Sequence, residues 1–272
     1  MITRHAAVTP AAVLLVTSFA LVSLARHRRR SSASTSSTTP VVSEQAVGFI
    51  FDLDGTLIDF EGVAHDALQV PLKRFGKSVD WKLHASISGK PVKTWAKEVL
   101  DTIGVTELTP EEYGHQWHEA TLSSFPTMQL MPGALDLVRR CRQRYPRAKL
   151  ALATSSMRDN YEAKIVYHPE LRSYFDAIVT GDEVERGKPN PDIFLEAARR
   201  IGIDPRKCVI FEDSLSGALG AKNAASLVVA IPDHRMDFIH DKFGFADYRL
   251  KSLTELDDTM LDTIHGVLQR RH

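Results

Sequence analysis

The chain has 272 residues, with 34 basic and 34 acidic side chains, so its formal net charge is zero. A nucleic-acid-binding surface needs a basic excess to neutralise phosphates, and none is present outside the N-terminus. With 43% apolar residues, the chain is long enough for one core domain plus a smaller one.

Residues 1–43 contain no acid, and Glu44 is the first. Residues 11–25 are mostly apolar and are followed by Arg26-His27-Arg28-Arg29-Arg30. Residues 31–40 are nearly all Ser and Thr, too polar to pack and expected to be a disordered linker. Three readings compete for residues 1–45. Arg, Ser and the absence of acids suit a transit peptide for a mitochondrion or plastid. Residues 6–25 have the length of a membrane anchor, weakened by Thr9, Pro10, Thr17, Ser18 and Ser23. In that case the Arg cluster turns the rest of the chain toward the cytoplasm, and membrane contact is expected through residues 6–25 only. A secretory signal is the third reading, and a basic cluster directly after the apolar run suits cleavage poorly.

Val47-Gly48-Phe49-Ile50-Phe51 is an apolar run that reads as a buried strand. It ends in Asp52-Leu53-Asp54-Gly55-Thr56-Leu57-Ile58-Asp59. Two carboxylates at the edge of an apolar core, with no Lys or Arg beside them, are costly unless a cation or ligand compensates them. Mg²⁺ is the simplest such cation, because it favours carboxylate, carbonyl and water oxygens. Two carboxylates one residue apart can also divide the work of phosphoryl transfer. One attacks phosphorus and becomes an aspartyl phosphate. The other protonates the leaving oxygen and then takes a proton from the attacking water. The plainer alternative is an Asp-Gly turn after a strand.

Residues 60–128 lack strand patterning and carry helical spacings, such as Val63, Ala67 and Val70, then Trp95, Val99 and Leu100. Four or five helices are expected there, forming an inserted cap over residues 61–129. Trp81, Trp95 and Trp117 are expected to pack its core. His115 and His118 read as a solvated helix face. Asp59 and Glu61 suit either the cap entrance or ordinary turn acids. Pro132 and Gly133 mark re-entry, and residues 134–145 form an amphipathic helix. Strands are then predicted at 149–154, 177–180, 208–212 and 227–231, with helices at 191–201 and 216–225. Such alternation predicts an α/β fold, a doubly wound parallel sheet with a Rossmann-like core from residues 46–60 and 130–272. Ligands in such sheets bind at the carboxyl ends of the strands. Cys141 falls in a predicted helix and Cys208 in a predicted strand, which suits buried thiols and a reducing compartment.

Phe51 to Leu57, FDLDGTL, resembles the first signature of the haloacid dehalogenase-like hydrolase superfamily. Leu150-Ala151-Leu152-Ala153-Thr154-Ser155-Ser156 is similar to the second signature, Gly187-Lys188-Pro189-Asn190-Pro191-Asp192 to the third, and Val209-Ile210-Phe211-Glu212-Asp213-Ser214 to the fourth. The order and spacing agree over roughly residues 46–250. Within the superfamily the chain resembles the capped branch of beta-phosphoglucomutases and of sugar-phosphate, glycerol-phosphate and pseudouridine-5'-phosphatases. Leu130-Met131-Pro132-Gly133-Ala134 and Gly187 to Leu195 are most similar to the pseudouridine-5'-phosphatase type.

The resemblance implies a set of roles. Asp52 is the nucleophile and a Mg²⁺ ligand. Asp54 is the general acid/base and lends its backbone carbonyl to the metal. Asp213 is the third metal contact, with Glu212 a ligand or a support behind it. Thr154 and Ser155 hold the phosphoryl oxygens through a hydroxyl and a backbone N–H. Lys188 faces the transferring phosphoryl group. The leading expectation is a Mg²⁺-dependent phosphatase, a monomer acting on a small phosphorylated metabolite and not on nucleic acid. Pseudouridine 5'-phosphate, flavin mononucleotide and sugar or polyol phosphates all remain open. A phosphomutase is the alternative. Its family pattern places an Arg three residues after a cap Gly, and here Val92 stands at that distance from Gly89, with Lys90 and Lys93 nearby. A non-catalytic binding relative is the third reading, and it expects a lost catalytic residue where every one is present.

Overall fold

The computed structural model describes residues 46–271. The expected transit peptide or anchor and the linker of residues 1–45 lie outside the described residues. Six strands form one parallel sheet: β1 (Gly48–Phe51), β2 (Lys149–Ala153), β3 (Ala177–Val179), β4 (Cys208–Glu212), β5 (Leu227–Ala230) and β6 (Tyr248–Arg249). Their spatial order is β3-β2-β1-β4-β5-β6. β1 is therefore central, paired with β2 on one side and β4 on the other, with Phe51 opposite both Leu152 and Phe211. The strand order reverses between β1 and β4, where doubly wound sheets open a crevice at their carboxyl ends.

Both faces of the sheet are covered. Phe49, Phe51, Leu150, Leu152, Val209 and Phe211 enter one core. The residues between them, such as Ile50, Ala151 and Ile210, enter the other. This is the period of two expected of a strand buried on both faces. The Phe51 and Phe211 rings stack with centroids 4.5 Å apart, fixing β1 against β4 next to the acids that follow each strand. The first core is closed by α5 (Ala134–Arg144) together with Tyr161 and Ile165.

Between β1 and β2 the chain forms four helices: α1 (Phe60–Gln69), α2 (Trp81–Ile87), α3 (Val92–Ile103) and α4 (Pro110–Ser124). Asp59 caps α1 by accepting the Gly62 N–H at 3.0 Å, and Thr109 with Glu112 forms a capping box on α4. These helices bury their own core around Leu68, Leu72, Trp95, Val99 and Tyr113, with Trp117 packed against it. Trp81 departs from its expectation. It stacks on His65 at 3.9 Å, and the Arg235 guanidinium lies 4.8 Å from its ring centroid. Arg235 belongs to the 3₁₀ segment His234–Phe243 and also donates to Asp59 at 2.6 Å. Trp81 therefore faces the seam with the sheet domain and not the helical core.

After β2 come α6 (Arg158–Ile165), α7 (Pro169–Ser173), α8 (Asp192–Ile201), α9 (Leu215–Asn223) and α10 (Asp258–Arg270). The predicted strands and helices lie at these places, with ends differing by one or two residues. Cys141 and Cys208 are free and buried, and burial pushes both thiols up to about 12.

Candidate active site

β1 and β4 run side by side and both end in carboxylates, so the register brings Asp52 beside Glu212 and Asp213. Oxygens of these three buried side chains lie within 4.8 Å of one another. Among the described residues this is the one cluster of its kind. Burial, opposed by Lys188 and reinforced by Glu212, pushes the Asp52 carboxyl up to about 8. Burial and the charges of Glu212, Asp52 and Glu61 raise Asp213 as well.

Lys188 enters from the loop before α8 and fills its three donor positions. Its Nζ donates to Asp52 Oδ1 at 2.5 Å, Glu212 Oε1 at 2.5 Å and the Ala153 carbonyl at 3.3 Å. Burial opposes its charge, but Asp52 and Glu212 outweigh that and hold the ammonium above its ordinary range. Glu212 Oε2 also accepts the Ser214 N–H at 3.0 Å and its hydroxyl at 2.9 Å. Asp213 Oδ1 accepts the Thr56 hydroxyl at 2.9 Å. Two glycines leave room for these acids. Gly55 has φ +88°, and a Cβ there would overlap the Asp213 carboxylate. A Cβ on Gly217 would overlap the Glu212 carboxylate.

Asp54 sits under a second lysine. Lys164 Nζ lies 2.5 Å from Asp54 Oδ1 and 2.6 Å from Oδ2. The Ser156 hydroxyl donates to Asp54 Oδ2 at 2.7 Å. Thr154 is fully buried, its hydroxyl 3.4 Å from Asp54 Oδ2 and accepting the Ser156 N–H at 3.0 Å. Ser155 lies exposed in the turn after β2. The structure thus brings Asp52, Glu212, Asp213 and Lys188 together, with Asp54 and Thr154 alongside. Sequence reasoning passed over Lys164 and the Ser156 hydroxyl. The available signal was weak: Tyr161 and Ile165 stand four residues apart, the spacing of one helix face, with Lys164 beside them.

The acids present fit a divalent cation. Asp52, Asp54, Glu212 and Asp213 face two ammonium groups, those of Lys164 and Lys188. A divalent cation would take the place of the protons that burial favours on Asp52 and Asp213, and hard carboxylate oxygens are the donors Mg²⁺ prefers.

A cavity of about 250 Å³ lies among the helices between β1 and β2, walled by Phe60, Ile87, Trp95 and Trp117, with Glu61, His84, Ser88 and Lys90 as polar groups. Glu61 is close enough to raise Asp213 by its charge, and the Phe60 ring lies 4.6 Å from Lys164 Nζ. His84 Nε2 and Glu61 Oε2 are 2.8 Å apart, and His65 Nδ1 lies 3.3 Å from His84 Nδ1. With Nε2–H donating to Glu61, His84 accepts from the His65 Nδ1–H. His115 is exposed and 3.5 Å from Glu119, as a solvated helix face should be.

A family model described as haloacid dehalogenase-like hydrolase matches residues 47–225. The chain is 36% identical over 212 residues to (DL)-glycerol-3-phosphatase 2 of Arabidopsis thaliana, covering 76% of this chain and 87% of that one. It is 35% identical over 211 residues to a probable pseudouridine-5'-phosphatase of Drosophila melanogaster, covering 76% and 89%. Among solved structures, a putative beta-phosphoglucomutase from Thermotoga maritima superimposes with a TM-score of 0.63 at 27% identity, over 81% of this chain and 99% of that one. The chain belongs to the haloacid dehalogenase-like hydrolase family, on its phosphatase branch.

Proposed function

We propose that this hydrolase is a Mg²⁺-dependent phosphatase that cleaves a small phosphomonoester through an aspartyl phosphate on Asp52. The observation that carries the reading is the buried set of Asp52, Glu212 and Asp213 with Lys188, placed where the strand order reverses. The Asp52 oxygen not held by Lys188 attacks phosphorus as the bond from phosphorus to the leaving oxygen breaks. Asp54 gives its proton to that oxygen. Water then attacks phosphorus, Asp54 takes the water's proton, and the bond to Asp52 breaks to release phosphate. Lys188 stabilises the charge that spreads over the phosphoryl oxygens, helped by Thr154 and Ser155. Asp52, Asp213 and the Asp54 carbonyl would hold Mg²⁺, with Glu212 as a further ligand or a support. Bound there, the ion supplies positive charge to the reacting oxygens.

The leaving group belongs in the cavity beside Glu61, with the helical segment acting as a cap. Its volume lies below the ~300–1,000 Å³ of drug-sized sites, which suits a polyol, a sugar or a single nucleoside. The Glu61–His84 pair suits hydroxyl groups. Lys90 is the one lysine or arginine lining the cavity among the described residues, and its ammonium is already paired with Glu98 at 2.5 Å. A mutase needs a cation there for a second phosphate, so this pairing favours hydrolysis. The test is phosphate release over a panel of polyol, sugar and nucleoside monophosphates. Activity that survives EDTA or Asp52→Asn overturns the reading, and isomerisation without phosphate release supports the mutase.

Residues 1–45 are read as a transit peptide, with a membrane anchor as the second reading. A fluorescent fusion of these residues that stays diffuse in the cytoplasm would exclude both.

A further inference from the structure

A lysine is almost never fully buried unless its charge is paired. Lys164 is 1% exposed, more buried than Lys188, and nothing in the reaction outlined above uses it. Its Nζ bridges both oxygens of Asp54 at 2.5 and 2.6 Å and lies 2.8 Å from Ser156 Oγ. The Ser156 hydroxyl in turn donates to Asp54 Oδ2. The Phe60 ring lies beside the same ammonium and also walls the cavity. α6 therefore brings a cation, and the turn before it a hydroxyl, against one carboxylate of the loop after β1. Asp54 carries few other constraints, because its side chain lies beyond the strand end and remains 19% exposed.

We propose that Lys164 is the positioning residue for Asp54. Together with Ser156 it holds that carboxyl group in the one rotamer from which a proton reaches the leaving oxygen and later returns from water. The assignment rests on the phosphatase reading. Lys188 serves the nucleophile and the phosphoryl group, and Lys164 serves the proton. The two lysines divide the site as the two aspartates do.

The test exploits leaving groups that need a proton and leaving groups that do not. An alkyl ester loses its alcohol only as the alkoxide oxygen is protonated. p-Nitrophenyl phosphate releases a stable phenolate without that proton. For Lys164→Met, kcat on sn-glycerol 3-phosphate or pseudouridine 5'-phosphate, whichever the wild type turns over faster, should fall on the order of 10²-fold, as when general acid–base help is lost. KM should stay within about threefold, since the group acts in the transition state. First-turnover release of nitrophenolate should fall less than about tenfold and appear as a burst of about one equivalent, because hydrolysis of the aspartyl phosphate still needs Asp54.

Equal loss of the first turnover for both esters, or no loss for either, overturns the proposal, since general damage to the fold would not distinguish leaving groups. If Lys164→Met does not fold, Ser156→Ala carries the test. It should show the same split at smaller amplitude, and its absence there overturns the proposal equally. Retained activity in Asp52→Asn, or a wild type inactive on both alkyl esters and the nitrophenyl ester, sinks the phosphatase reading itself and is thereby distinguished from failure of the Lys164 assignment.

Discussion

The ammonium of Lys188 lies 2.5 Å from Oδ1 of Asp52, although 136 residues separate the two in sequence. The pair is almost wholly buried and shares its cation with Glu212. Removing one partner of a buried pair leaves an uncompensated charge. Lys188→Met should therefore cost about 3–5 kcal/mol of stability in metal-free protein. It should also lower kcat by roughly 10²–10³-fold, as for other lost electrostatic donors. Denaturant unfolding with and without Mg²⁺, together with initial rates, checks both effects. A variant of wild-type stability and rate removes Lys188 from the site.

The raised carboxyls set a pH dependence of stability. Asp52 moves from an ordinary 3.8 to about 8 in the folded protein, and Asp213 moves in the same direction. Folding therefore takes up protons, so metal-free stability should decline as pH rises from about 4 to 8. His65 and His168 are lowered, chiefly by burial, and work in the opposite sense as pH rises through their ordinary value of 6.5. Comparison with Asp52→Asn isolates the acid contribution. Mg²⁺ bound to these acids as proposed would compete with the same protons, so it should raise Tm more at pH 8 than at pH 5. A Mg²⁺ shift independent of pH contradicts the assignment of these acids.

Gly55 offers a sharper probe of the proposed metal site. An alanine there meets the Asp213 carboxylate and must also adopt φ +88°. The backbone strain alone costs about 1–2 kcal/mol. Gly55→Ala should therefore fold but bind Mg²⁺ at least tenfold more weakly, a loss of about 1.4 kcal/mol or more. Titration calorimetry measures it, and unchanged affinity would place the metal elsewhere.

The cavity residues should separate recognition from chemistry. Glu61→Gln keeps the shape but weakens the 2.8 Å contact with His84. KM for a hydroxyl-rich substrate should rise about tenfold, the value of one charge-assisted hydrogen bond. KM for p-nitrophenyl phosphate should change little. If both rise together, Glu61 acts on the acidic cluster and not on the leaving group.

Much of this site was legible before folding. Asp52 and Asp213 each follow an apolar run that ends in acid, a pattern carried by consecutive residues. Lys188 was legible only through its resemblance to a known signature, since Gly187-Lys188-Pro189 alone is an ordinary turn. Lys164 was missed because lysines on helices usually face water, and α6 has no strong apolar stripe to warn otherwise. Trp81 misled for the converse reason. An aromatic at helical spacing suggests core, but Arg235 and His65 hold it at the seam. β6 has two residues, too few to show a period.

Strands, helices and the order of the acidic turns followed from sequence alone, because hydrophobic period and turn chemistry act over a few neighbouring residues. The neutralisation of those acids was decided only by the tertiary structure. Coulomb and hydrogen-bond energies depend on distance in space. Lys164 and Lys188 reach Asp54 and Asp52 from 110 and 136 residues away, and no local pattern records which lysine meets which acid.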